Sequence, residues 1–222
     1  MSDQRTTLIL LRHGEVTSHR GDVPVTPEGR LHAVRTGAAL AARFGPDLDV
    51  LYGGTRRTRQ TAEALIQGLG DAAPTTEPVD SFALRNPDLY VAGTRVNMVS
   101  SPETLAQQVP GMSTDQAAAH PWFSQFFNAA DRIGWWLAQD SPPGDNARAL
   151  AQRVHQFATS LADPGPHTGR VVIGVTHSPV LRAVLTAGTG TDPGEPAYVT
   201  GALLRPDIDW SMKVTRFDPL SP

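Results

Sequence analysis

The sequence predicts an α/β protein in which a buried, mostly parallel sheet is covered by helices. Two apolar runs, Thr6 to Leu11 and Arg170 to Thr176, have the β-rich character of strands buried on both faces. Segments with helical periodicity follow these runs, and strands that alternate with helices are typical of layered α/β domains. A chain of 222 residues is long enough to bury the core of one such domain.

The other elements are predicted from capping signals and periodicity. Thr26 and Pro27 have the pattern of an N-cap followed by a first helical residue, and apolar residues then recur at helical spacing to about Phe44. The remaining predicted elements are a strand at 49–52, a helix at 55–65, a helix at 180–187, and strands at 197–204 and 210–217.

Residues 81–144 interrupt this alternation of strands and helices. The segment is rich in proline, glycine and aromatic residues and shows no strand alternation. We predict a single domain over residues 1–222, with a helical or loop insertion at about 81–144 that caps the candidate site. The aromatic residues of the insertion either form a small packed core or contact a partly apolar substrate. They are Trp122, Phe123, Phe126, Phe127, Trp135 and Trp136.

Composition and charge argue against several classes of function. The 19 basic and 22 acidic residues leave a formal net charge of −3, which gives no general attraction for nucleic acid or an anionic membrane. The chain has no cysteine, and its histidines lack the spacing of a metal site, so we expect no metal and no organic cofactor. The apolar run after the polar residues 1–5 is too short for a signal peptide or a membrane span, so a cytoplasmic protein is expected.

A histidine follows each of the two buried strands. Parallel strands bring their carboxyl ends to one edge of a sheet, so His13 and His177 are expected to meet although they are far apart in sequence. Arg12 and Arg57 would add guanidinium donors suited to a phosphoryl group. A neutral His13 could then attack phosphorus, while the arginines and a protonated His177 stabilise the transition state without a metal.

The segments around these residues resemble one known family. Residues 11–15, Leu-Arg-His-Gly-Glu, resemble the Arg-His-Gly signature of the histidine phosphatase superfamily, which includes the cofactor-dependent phosphoglycerate mutases. Residues 25–29 are similar to its Leu-Thr-x-x-Gly helix entry, and residues 57–62 to its Arg-Ala-x-Gln-Thr-Ala helix. Residues 144–146 lie at the place of its Gly-Glu-Ser, and residues 175–178 resemble its second-histidine segment. The agreement in order makes the resemblance specific.

The resemblance implies a fold and an activity. The fold is a three-layer sandwich with a mostly parallel central sheet and helices on both faces. The activity is that of a phosphomonoester hydrolase that forms a phosphohistidine on His13, while both arginines and His177 bind the phosphate of a small phosphorylated metabolite. His19, which stands where many relatives have a phosphate-binding Asn, and Ser178 are further candidate contacts. A homodimer is left open.

The proton donor of the family is not found at its usual place. A Leu-x-Glu segment supplies this carboxylic acid in the family, whereas Leu84-Arg85-Asn86 places an amide there. Asp88 is the first substitute and Glu103 the second, and either needs burial or a neighbouring phosphate to stay protonated near neutral pH. Asp88 could equally cap a turn after Pro87, and Glu103 after Pro102 fits the first turn of a helix.

Two other functions remain open at this point. One is a phosphoglycerate-mutase-like phosphotransferase that keeps the phosphoryl group on His13 for a second acceptor. The loop after His19 is shorter than in the mutases, which favours hydrolysis. The other is a catalytically weak protein that binds a phospholigand. A serine hydrolase is excluded because Ser178 lies in no Gly-x-Ser-x-Gly elbow.

Overall fold

The computed structural model describes residues 6–18, 21–73, 77–98, 101–206 and 211–221. The strands in these ranges are β1 (Thr7–Arg12), β2 (Leu48–Tyr52), β3 (Val79–Asp80), β4 (Leu89–Val91), β5 (Thr94–Val96), β6 (Val171–Thr176), β7 (Gly201–Pro206) and β8 (Met212–Phe217). The helices are α1 (Pro27–Phe44), α2 (Arg56–Leu69), α3 (Pro102–Ala106), α4 (Thr114–Ala118), α5 (Pro121–Asn128), α6 (Arg132–Leu137), α7 (Ala147–Ser160) and α8 (Ser178–Thr189).

The main sheet is mostly parallel, as predicted. In the described ranges it has six strands in the order β3-β2-β6-β1-β7-β8. The first four of these run parallel to one another, while β7 pairs antiparallel with both β1 and β8. Parallel strands need crossover connections, which explains why helices separate β1, β2 and β6 along the chain.

Helices cover both faces of this sheet. Successive side chains of a strand point to opposite faces. Leu8 and Leu10 of β1 therefore pack in the same apolar cluster as residues of α7 and α8, whereas Ile9 and Leu11 pack with residues of α1 and α2. The predicted three-layer α/β sandwich is confirmed, because the central layer is apolar on both faces.

The capping signals in the sequence mark the helix starts correctly. The side-chain oxygen of Thr26 accepts a hydrogen bond from the Gly29 amide, Pro27 opens α1, and α1 ends at Phe44 as expected. Thr55 caps α2 in the same way by accepting from the Thr58 amide. These local bonds satisfy helix amides that have no partner inside the helix.

The penultimate strand begins later than predicted. The range 197–204 was expected to be extended, but β7 starts at Gly201. Val199 has a positive φ of 57°, and the Thr200 amide donates to the carbonyl of Ala197, so this stretch turns before the strand begins. Trp210, where the last strand was expected to start, lies outside the described residues, and β8 begins at Met212.

The insertion contains short helices and a hairpin. The expectation that it lacks strands is wrong, because β4 and β5 pair antiparallel around Ala92 and Gly93, both of which have positive φ. Strands of three residues are too short to show alternation in a sequence. The remaining regular structure of this segment is a 3₁₀ helix at Phe82–Leu84 and the helices α3 to α6.

Most of the insertion's aromatic residues serve as core. Phe123, Phe126 and Trp136 are fully buried and belong to the same apolar cluster as Leu8 and Leu10 of the sheet. Trp122 stacks on Phe126 with ring centroids 5.3 Å apart. These rings therefore form a packed core, which is the first of the two alternatives. In the described part of the chain, no helix combines the length and apolarity needed to cross a bilayer.

Trp136 provides a test of whether the insertion and the sheet unfold as one unit. Its side chain is completely buried, and its indole N–H donates to the carbonyl of Asp145 at 3.1 Å. Trp136→Ala should lower the free energy of unfolding by about 3–5 kcal/mol, because it leaves a cavity in a shared core. Urea unfolding followed by circular dichroism measures this change. Leu31→Ala, at a side chain that is 57% exposed, is the control with little expected effect.

Candidate functional site

The two histidines meet at the carboxyl edge of the sheet. Strands β1 and β6 pair in register, so that Arg12 lies opposite Thr176, and the His13 amide donates to the Thr176 carbonyl at 2.9 Å. The next residue of each strand is a histidine, and the centroids of the His13 and His177 rings lie 5.6 Å apart. The predicted convergence of the two rings is therefore found.

The hydrogen bonding of His13 defines its tautomer. The ring Nδ1 lies 2.8 Å from the carbonyl oxygen of Gly14. A carbonyl only accepts, so Nδ1 carries a proton, and in the neutral ring the lone pair resides on Nε2. Gly14 is in turn held by α2, because its amide donates to the hydroxyl of Thr61 at 2.8 Å. The backbone thus leaves Nε2 as the ring nitrogen that can act as a nucleophile.

His177 is buried among groups that favour its neutral form. Its Nε2–H donates to the Gly53 carbonyl at 3.3 Å, and Nδ1 accepts from Arg57 at 3.4 Å. Burial, followed by the charges of Arg57 and the nearby His13, lowers the pKa of His177 well below 6.5. The protein groups alone therefore favour a neutral His177, whereas the expected protonated ring concerns the site with a phosphoryl group in it.

Arg57 is the arginine of α2 that reaches the site. It lies in the first turn of the helix, and burial lowers the pKa of its guanidinium. Neither neighbouring arginine lines the cavity: Arg56 is exposed, and the exposed Arg59 side chain pairs with Glu63. The family resemblance and the helix geometry therefore select the same residue.

Arg12 is fixed by the loop that precedes β7. One terminal nitrogen donates to the carbonyl of Pro196 at 2.6 Å, and the other forms an ion pair of 2.7 Å with Glu195. The guanidinium carbon also lies 4.2 Å from the centroid of the Tyr198 ring, a distance suited to a cation–π contact. These contacts hold the Arg12 side chain, which is charged and only 8% exposed, in one orientation.

All four predicted residues line one cavity of about 450 Å³. Arg12, His13, Arg57 and His177 form its polar part. Its other walls combine apolar and polar side chains from the insertion and from the loops around α8. They are Asn86, Met98, Phe126, Ala130, Asp131, Arg132, Ile133, Ser178, Pro179 and Glu195. The cavity therefore joins a cationic end to a partly apolar body.

The structure does not bring the expected proton donors into this cavity. Asp88 is absent from the lining, and its carboxylate pairs with Arg95 of the hairpin. Glu103 lies exposed in the first turn of α3, as its alternative assignment predicted. Asn86, at the position where the family has its acid, does line the cavity. Of the two substitutes that the sequence offered, Asp88 is therefore paired with an arginine and Glu103 is exposed on a helix.

Two further residues, Ser178 and His19, were predicted to contact the phosphate. Ser178 lines the cavity, but its hydroxyl donates to the carboxylate of Glu195. His19 lies outside the described residues. No group of three metal-type ligands occurs within the described ranges.

Sequence reasoning missed Glu195 and Asp131, the two carboxylates of the cavity. Asp131 receives two hydrogen bonds from the buried Arg182, and these bonds, with the charge of Arg182, hold the pKa of Asp131 at about 2. Glu195 contacts Arg12 and Ser178 from the loop after α8. Neither residue belongs to a recognisable motif, since each lies in a loop rich in turn residues.

The fold and the site define the class: an α/β protein whose mostly parallel sheet is covered on both faces and has two histidines and two arginines at its carboxyl edge, where such sheets bind ligands. Residues 8–80 match the family model described as the histidine phosphatase superfamily, branch 1. This match confirms the resemblance seen in the sequence, over about the first third of the chain. None of the curated proteins matches the sequence significantly.

Solved structures share the fold over nearly the whole chain. One is a mycobacterial glucosyl-3-phosphoglycerate phosphatase with 18% identity and a TM-score of 0.61, covering 95% of this chain and 96% of the other. Its complex with inorganic phosphate has 18% identity and a TM-score of 0.59, covering 96% and 95%. An Escherichia coli K-12 protein described as a candidate alpha-ribazole-5'-P phosphatase has 19% identity and a TM-score of 0.57, covering 96% and 95%. The likeness establishes a shared fold.

The lowered pKa of His177 predicts how this residue titrates. In the folded protein the ring should stay neutral as the pH falls through 6.5, whereas in the unfolded chain it gains a proton there. Because the unfolded state then binds more protons, this residue should lower stability as the pH drops below about 6.5. Histidine NMR signals measured from about pH 8 to pH 5 test this. A midpoint at or above 6.5 for His177 would contradict the assignment.

Proposed function

We propose that the protein is a phosphomonoester hydrolase that works through a phosphohistidine on His13. The observation that carries this proposal is the placement of His13 and His177, 5.6 Å apart, in a cavity also lined by Arg12 and Arg57. A single phosphoryl group can reach both imidazoles and both guanidinium groups at such a spacing.

The hydrogen-bonding state of the arginines supports an anion at this place. The buried Nε atoms of Arg12 and Arg57 have no hydrogen-bond partner among the described residues, and the same holds for the Asn86 side-chain oxygen. Buried polar groups are normally paired, so donors left without protein partners in a cavity favour a polar ligand. A phosphoryl group supplies acceptors for these guanidinium donors.

The proposed reaction has two steps at phosphorus. Nε2 of His13 forms a bond to phosphorus while the ester bond breaks, and its electron pair leaves with the alcohol oxygen, which then takes up a proton. Water next attacks the phosphohistidine, the phosphorus–nitrogen bond breaks, and inorganic phosphate and neutral His13 are released. Arg12 and Arg57 stabilise the charge on the nonbridging oxygens in both steps.

The cavity walls favour a substrate that is partly apolar. Met98, Phe126 and Ile133 line the body of the cavity beyond the two histidines. A volume of about 450 Å³ holds a small organic group besides the phosphate, and apolar walls with few polar groups are typical of small-molecule sites. We infer that the substrate is a small phosphorylated metabolite with some apolar surface.

The test is turnover of an activated aryl phosphate with measurement of free phosphate. Rapid quench with labelled substrate should trap an acid-labile, alkali-stable label, and His13→Ala should abolish both label and turnover. Transfer of the label to an added alcohol in place of water would instead indicate a phosphotransferase. Binding of phosphate without any turnover would indicate a phospholigand-binding protein.

Arg57 and Arg59 offer a matched pair on one helix. Arg57→Gln should lower kcat/KM for the aryl phosphate by about 10²-fold or more, because the transition state loses a positioned donor. Arg59→Gln removes the same charge from an exposed side chain that pairs with Glu63 and does not line the cavity, so it should leave kcat/KM nearly unchanged. Equal effects of the two substitutions would contradict the role given to Arg57.

A further inference from the structure

Glu195 places a negative charge in the cavity proposed to bind phosphate. One carboxylate oxygen pairs with Arg12 at 2.7 Å, and the other accepts a hydrogen bond from the hydroxyl of Ser178. Ser178 directly follows His177, so this carboxylate lies beside the residues that would hold the phosphoryl group. Its side chain is 51% exposed and lines the same cavity as both histidines.

The orientation of Arg12 has supports other than Glu195. The Pro196 carbonyl accepts from its other terminal nitrogen, and the Tyr198 ring lies against its face. Glu195 is therefore more than a positioning partner for Arg12, since two further contacts already restrain the guanidinium. Its effect on the cavity is chiefly that of its charge.

Arginines from three elements lie beside Glu195 or line its cavity. Arg12 of β1 pairs with it, Arg182 of α8 approaches its carboxylate to 3.9 Å, and Arg57 of α2 lines the same cavity. Arg182 is already paired with Asp131 and Asp192, and Arg132 lies on the insertion side of the cavity. His13 and the neutral His177 complete the polar end.

These groups favour a phosphoryl group with one negative charge. At the phosphate end, two guanidinium charges stand against one carboxylate charge, which leaves a net charge of one positive unit. A carboxylate beside a phosphoryl dianion is repulsive, whereas a phosphoryl monoanion still carries an O–H that donates to it. A carboxylate has about four lone-pair sites, so Glu195 can accept this bond while it keeps Arg12 and Ser178.

We propose that Glu195 determines specificity in the phosphate pocket by selecting the singly protonated phosphoryl group, which donates its remaining proton to the carboxylate. This inference rests on the proposed phosphatase function and deepens it. It predicts that the pocket accepts a phosphate monoester as its monoanion. It attributes this preference to Glu195, which is not one of the two histidines and two arginines of the site.

The test is competitive inhibition by inorganic phosphate from about pH 5.5 to pH 8, the interval in which phosphoryl groups lose their second proton. In the wild-type protein, phosphate should bind more weakly as the pH rises, because the monoanion disappears. In Glu195→Gln, the amide can donate to the dianion, so the inhibition constant near pH 8 should fall about tenfold relative to wild type. The pH dependence should also flatten.

Asp192→Asn is the matched control. It removes a carboxylate from the same loop, but Asp192 pairs with Arg182 and does not line the cavity. Phosphate affinity that stays unchanged or weakens at about pH 8 in Glu195→Gln would overturn the inference. An improvement shared equally by Asp192→Asn would overturn it too, since loop charge alone would then explain the effect.

A second measurement needs no variant. A wild-type inhibition constant that is flat or falls as the pH rises overturns the role of Glu195, while aryl phosphate turnover leaves the proposed function standing. A wild-type protein that neither turns over the aryl phosphate nor binds phosphate overturns the proposed function itself. The two failures are thereby distinguished.

Discussion

The parallel pairing of β1 with β6 is the constraint on which the site depends. The two strands run side by side in register from Thr7 and Val171 to Arg12 and Thr176, with apolar side chains covered on both faces. A slip of one residue would send every side chain of a strand to the opposite face, so burial of both layers fixes the register. Two histidines more than 160 residues apart are thus delivered to neighbouring positions at one sheet edge.

The surrounding charges are held by two groups of contacts, which meet where Arg182 approaches Glu195 to 3.9 Å. Glu195, Pro196 and Tyr198 fix Arg12 from the loop after α8. Deeper in the protein, the fully buried Arg182 joins Asp131 of the insertion to Asp192 of the same loop. Removing the carboxylates would leave a buried guanidinium charge unpaired and would lower the stability of the fold. This cluster therefore ties the insertion to α8, the helix that begins beside His177. The cavity walls are therefore anchored to the helix that carries the second histidine.

Local signals in the sequence were sufficient to predict helices and strands, but they did not reveal the partners of charged side chains. The Thr26-Pro27 signal places the start of α1 correctly, because an N-cap satisfies helix amides within a few residues. Asp88 was a reasonable acid by its distance from Asn86, yet it pairs with Arg95 across the turn of a hairpin that has no sequence signature. The partner of a charged side chain depends on which segments fold against it, and neighbouring residues do not reveal that.

The sequence by itself determined the layered α/β fold, the two strands that end in histidine, and Arg12, His13, Arg57 and His177 as the candidate site. Periodicity, capping and ordered motifs are local properties, so they can be recognised along the chain. Only the tertiary structure decided that burial and nearby charges lower the pKa of His177, that Asp88 pairs with Arg95, and that Glu195 lines the cavity. Burial and charge pairing arise from contacts between distant segments, and these exist only once the chain has folded.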